Sequence, residues 1–138
     1  MLLLLSLAAC ERDGSAWRRD LAQGNPVERR LAALALRDPA GDELRPTVRA
    51  LLLALGDGDA EVAEAVRSSL LVLAPHASEE MIAVVLQFPN RRRLRVRMMP
   101  FLRAGGPAVV EGLQRVAAEE GPRAAAAARV LEELEEGG

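Results

Sequence analysis

Residues 46–73, PTVRALLLALGDGDAEVAEAVRSSLLVL, read as helix, tight turn, helix. Leu51, Leu52 and Leu55 give the first helix an apolar stripe. Val62, Val66, Leu70 and Leu73 give the second its own, at spacings of four, four and three. Between them lies Gly56-Asp57-Gly58-Asp59. Gly56 suits the left-handed conformation that ends a helix, and Asp59 suits an N-cap that accepts a backbone N–H. One such pair cannot bury both of its faces, so neighbouring copies are expected.

Upstream, Ser15 is expected to cap a helix over 16–23 that carries Trp17 and Leu21 inward, and Gly24-Asn25-Pro26 breaks it. A second helix over 27–37 places Val27, Leu31, Leu34 and Ala35 on one face, before a loop at 38–42. Downstream, Ser78 is expected to cap a helix over 79–88 with Met81, Ile82, Val85 and Leu86 on its apolar face. An Arg-rich helix over 91–102 follows, which Pro100 is expected to kink or end. Gly105-Gly106-Pro107 and Gly121-Pro122 start two more, reaching about residues 119 and 136. These are eight helices in four antiparallel pairs. Aligned on their first inward residue, the second helices start at Val27, Val62, Leu94 and Ala124, in steps of 35, 32 and 30 residues. Four positions later stand Leu31, Val66, Met98 and Ala128. A recurrence near 32 residues marks an all-α right-handed stack, an α-solenoid, with these residues buried between layers.

Asp57-Gly58-Asp59-Ala60-Glu61-Val62-Ala63-Glu64-Ala65-Val66 resembles the turn and second helix of a HEAT repeat, close to the short bacterial HEAT-like type. Asn25-Pro26-Val27-Glu28-Arg29-Arg30-Leu31-Ala32-Ala33-Leu34 is a second match, and the third and fourth copies are degenerate. The tetratricopeptide pattern of Trp, Gly and Tyr is not met. The resemblance implies a HEAT-like domain over 16–138, curved, with second helices lining a concave face, and a role as a protein-binding scaffold.

The chain opens Met1-Leu2-Leu3-Leu4-Leu5-Ser6-Leu7-Ala8-Ala9-Cys10. This apolar run is far short of the roughly 20 residues that span a bilayer, and fits the hydrophobic part of an export signal. Leu7-Ala8-Ala9-Cys10 resembles the bacterial lipobox, although nothing before Cys10 is charged where such signals open with Lys or Arg. The resemblance implies a signal peptide at 1–9, lipidation of Cys10, a short tether at 10–15, and a lipid-anchored domain outside the cytoplasm, at the cell membrane or outer membrane. The other reading is a soluble intracellular HEAT-like adaptor with a misassigned N-terminus. Cys10 is the single cysteine, so no intramolecular disulfide can form and packing alone must hold the domain.

Half of the 138 residues are apolar, but the aromatics are one Trp and two Phe, with no Tyr. Leu, Ala and Val suit closely packed helices better than a sheet. All 18 basic residues are Arg, and the net charge of −2 gives no global drive toward nucleic acid. The densest charge feature is Arg91, Arg92, Arg93, Arg95 and Arg97, with Arg103 just beyond. On a helix striped by Leu94, Met98 and Leu102 they repel one another unless something anionic compensates. They either pair with acids of neighbouring helices, such as Glu61, Glu64, Glu119 or Glu120, or bind an acidic protein segment or lipid head groups.

Other constellations are weaker. His76 is the one histidine, and one ligand makes no zinc site. Asp57, Asp59 and Glu61 alternate like a calcium loop, but Val62 and Ser68 stand where that loop needs Gly and Glu. Gly105-Gly106-Pro107 lacks the Lys and Ser/Thr of a phosphate loop, and Ser68 and Ser69 have no base nearby in sequence. The expectation is a membrane-anchored binding scaffold of the cell envelope without catalysis, cofactor or metal.

Overall fold

The computed structural model describes residues 13–137, all of whose regular structure is helical. Cys10, the expected lipidation site, lies outside the described residues. Among the described residues eight α-helices follow one another: α1 Gly14–Gln23, α2 Pro26–Ala35, α3 Leu44–Leu53, α4 Ala60–Leu73, α5 Ser78–Gln87, α6 Arg92–Ala104, α7 Pro107–Ala117 and α8 Pro122–Glu136. Single 3₁₀ turns at Gly41–Glu43, Ala54–Gly56 and Ala74–His76 lead into α3 and close α3 and α4. No single helix among the described residues is long and apolar enough to cross a membrane.

The starts of α2 and α4 are fixed by short side chains. Asn25 accepts from the Glu28 N–H at 2.9 Å while the Glu28 carboxylate accepts from the Asn25 N–H at 3.1 Å, a reciprocal capping box ahead of Pro26. Asp59 accepts from the N–H groups of both Glu61 and Val62 at 3.0 Å. Two expected caps differ. Asp13, not Ser15, caps α1, and hydrogen bonds from the Ser15 hydroxyl and the Ala16 N–H hold its carboxyl below the ordinary value. Ser78 is the first residue inside α5 rather than its cap.

The end of α3 also departs from expectation. Gly56 does not take a positive φ; among the described residues Gly106 and Gly121 do, at φ 70° and 110° with extended ψ, where they turn the chain into α7 and α8. At Gly56 the helix tightens into its 3₁₀ turn and the Asp57 N–H donates to the Ala54 carbonyl at 3.1 Å, so the last carbonyls need no left-handed residue. Helix α6 runs through Pro100 to Ala104. Pro100 and Val96, whose carbonyl loses its helical donor, are both exposed, so water can serve the freed group while buried Met98, Met99, Phe101 and Leu102 hold the helix in place.

Packing links α1 to α2, α3 to α4, α5 to α6 and α7 to α8, and also joins α1, α3, α5 and α7 in series. Helix α4 packs on both α2 and α6. The core between them is aliphatic and sulfur-bearing, with Val48, Leu51, Leu52, Val62, Val66, Met81, Met98 and Leu113 without solvent contact. As expected, Val62, Val66, Leu94 and Met98 are buried. Val27 and Leu31 are not: they are 69% and 55% exposed, and Ala128 is exposed as well.

The buried face of α2 is instead Ala32 and Ala33, one residue round from the expected register, with Leu36 just past the helix end. Small side chains there let α4 come close enough for the buried Ser69 hydroxyl to donate to the Ala33 carbonyl at 2.6 Å. In α8 the buried positions are Ala127 and Val130, again one residue from the expected register in an alanine run with no size contrast to fix a face.

A paired substitution separates the two kinds of position. Val66→Asp should lower unfolding free energy by about 3 kcal/mol or more, because it places an unpaired charge among apolar side chains. Val27→Asp should change it by no more than about 0.5 kcal/mol, the usual scale at a surface position. Urea unfolding followed by circular dichroism reads both.

Candidate functional site

Helix α3 has two working faces. Val48, Leu51 and Leu52 enter the core, while Pro46, Arg49, Ala50 and Leu53, followed by Ala54, form a stripe along the floor of a cleft of about 1300 Å³. The spacing of these positions is that of one helix face. One wall comes from α1, through Arg18, Leu21 and Ala22, with Arg29 of α2 beside it. The other is the start of α6, with Arg91, Arg92, Arg93 and Arg97. The turn Gly56-Asp57-Gly58 lines it as well, and Asp57 is the single acid in the lining.

Two of the seven arginines are neutralised. Arg18 pairs with Glu43, and Arg29 grips Asp57 with two nitrogens at 2.9 and 3.2 Å. Burial pushes the Asp57 carboxyl up, but hydrogen bonds from Arg29 and from the Asp59 N–H outweigh it and hold Asp57 below the ordinary carboxylate value. The same Asp57 bond raises the Arg29 guanidinium above its own ordinary value. Arg29 also donates to the Gly24 carbonyl at 2.9 Å, tying the start of α2 to the turn after α3.

The other five, Arg49, Arg91, Arg92, Arg93 and Arg97, make no ion pair among the described residues. Arg49 donates to Gln87, and Arg49 and Arg91 lie over the ring of Phe88, 5.6 and 5.3 Å from its centre. The π face offsets part of their mutual repulsion and steadies both heads. Arg97 lies across Gly56: a Cβ there would come within 2.5 Å of its Nη1. The first turn of α6 carries no acid and no side-chain cap, so its positive dipole end adds to the same field. Clustered charge of one sign between low-dielectric walls concentrates anions from solution.

Arg91, Arg92, Arg93 and Arg97 are thus brought together, and Arg95 is turned elsewhere. It is 8% exposed; its Nε donates to both Glu133 oxygens at 2.9 and 3.0 Å and its Nη1 to the Pro89 carbonyl at 2.8 Å. The acid it finds is Glu133 of α8, not Glu61, Glu64, Glu119 or Glu120. Glu64 pairs instead with Arg67 on its own helix, and Arg103 lies against Gly137 at the chain's end.

Sequence reasoning missed Arg18, Arg29, Arg49 and the apolar floor. Nothing in the local pattern of α1, α2 or α3 links them to the Arg91–Arg97 run; the cleft exists only once α6 lies beside α3. Asp57 and Asp59 are committed to Arg29 and to backbone N–H groups, His76 is exposed, and no cluster of three or more His, Cys, Asp or Glu able to hold a metal occurs among the described residues. Compared with known proteins, the chain matches no family model, no curated protein and no solved structure.

Two stability measurements follow from these pairings. Arg95→Ala should cost about 1–3 kcal/mol, because it strands Glu133 and the Pro89 carbonyl. Asp57, depressed when folded, adds stability that is complete above its unfolded value near pH 4 and is lost as pH falls through its lower folded value. Acid titration of Asp57→Asn should therefore show a shallower loss of stability below about pH 4 than the parent chain.

Proposed function

We propose that this protein is a binding scaffold of the bacterial cell envelope, held at a membrane by acyl chains on Cys10, and that its arginine-lined cleft captures an acidic segment of a partner protein. On this reading it performs no catalysis. The observation that carries the proposal is the gathering of five arginines that make no ion pair among the described residues, from α3 and the start of α6, around one cleft of a chain whose net charge is −2. Guanidinium forks match carboxylates bidentately, which suits recognition of Asp and Glu side chains. The membrane anchor rests on Leu7-Ala8-Ala9-Cys10.

We read the architecture as a HEAT-like solenoid of four antiparallel helix pairs. Its support is the packing of each successive pair, the series formed by α1, α3, α5 and α7, and the contacts of α4 with α2 and α6. The Arg95–Glu133 ion pair extends that second series to α8. Stacked pairs of this kind present long surfaces to partners and need no pocket chemistry.

Replacing Arg92, Arg93 and Arg97 together by Ser should weaken capture of an acidic partner from envelope extract at least about tenfold while leaving the melting temperature nearly unchanged, since none of the three holds an ion pair among the described residues. Capture by the parent chain should fall with added salt. Cys10→Ser should move the protein out of the membrane fraction, and intact mass should show acyl groups on the parent chain.

A further inference from the structure

We infer that the cleft takes its partner segment as a short amphipathic helix, two to three turns long, with an apolar stripe laid on α3 and carboxylates on the flank that faces α6. This rests on the reading of the cleft as a site for an acidic protein segment, and adds the shape and patterning of that segment.

The cleft differs from a uniformly charged patch. Its floor runs along one face of a helix, where Pro46, Ala50, Leu53 and Ala54 are apolar and Arg49 stands among them. At 1.5 Å per residue that stripe is about 12 Å long, which is two turns of a helix laid alongside it. Leu53 lies on this floor and is 42% exposed, a large side chain left open to solvent between two walls. A helix about 10 Å across and about 15 Å long occupies roughly 1200 Å³. The cleft holds about 1300 Å³, above the range of most small-molecule pockets. An isolated phosphate would leave the apolar side chains of α3 uncovered.

The walls are electrostatically unequal. Arg18 and Arg29 on the α1 side already hold Glu43 and Asp57. Arg91, Arg92, Arg93 and Arg97 on the α6 side hold no acid among the described residues. A matching helix therefore carries its acids along one flank, next to the apolar stripe, as in other helix-in-groove recognition.

Fluorescence anisotropy tests this with two labelled peptides of about 11 residues and identical composition. In one, Leu recurs once per turn with Glu on the adjacent flank; in the other, the same Leu and Glu are dispersed around the helix. The patterned peptide should bind at least about tenfold more tightly, the scale of burying one leucine. Leu53→Ser should remove that advantage and leave the dispersed peptide unchanged, while Arg92→Ser with Arg93→Ser and Arg97→Ser should weaken both. The comparison of peptides on the unaltered protein needs no variant to fold. Equal binding of the two peptides overturns the helical inference and leaves the acidic-segment reading standing. Binding of neither peptide, with capture of phosphatidylglycerol vesicles, overturns both and assigns the cleft to lipid head groups.

Discussion

The structure depends on how α3 is held. A ten-residue helix is about 15 Å long and cannot bury a core by itself, so each helix here borrows its stability from those it touches. Helix α3 touches α1, α4, α5 and α6. Its inner face locks it into the core through Val48, Leu51 and Leu52, and that immobility is what makes its outer face a defined floor. A binding surface set on a helix fixed from behind keeps its geometry better than one set on a loop.

What was legible in the sequence follows from side-chain size. In α4, fourteen residues long with branched residues at Val62, Val66 and Leu70, the pattern identifies the buried face unaided. In α2 the same logic points the wrong way. Val27 and Leu31 carry the apolar weight, but the close approach of α4 selects Ala32 and Ala33, whose merit is smallness. Hydrophobic periodicity cannot see a contact chosen for lack of volume. Five consecutive alanines from Ala124 to Ala128 raise the same difficulty in α8. The candidate site divides along a different line. The arginine run was visible as a run, yet which of its members face a cleft and which one is buried depends on partners distant in the chain, 38 residues away for the Arg95–Glu133 pair.

That division gives the arginines two roles. Arg18, Arg29 and Arg95 each join elements distant in sequence, through Glu43, Asp57 and Glu133. Arg95 does so with most of its surface removed from water, where losing one partner costs more than at an exposed pair. Because it also holds the Pro89 carbonyl, it fixes the turn from which α6 departs, and so sets where the neighbouring guanidinium groups stand. Arg91, Arg92, Arg93 and Arg97 are left free of such duty by the arginine among them that is not.

The exclusive use of arginine in the cleft has a consequence for its response to acidity. A guanidinium does not give up its proton in a protein, whereas a lysine in so crowded a cationic groove would be pushed toward neutrality by its neighbours. The arginines of this surface therefore keep their charge as pH falls, and the one lining group that can lose its charge to acid is Asp57. Acid sensitivity on this surface therefore enters through carboxylates alone, that of Asp57 and those of any anion brought to it.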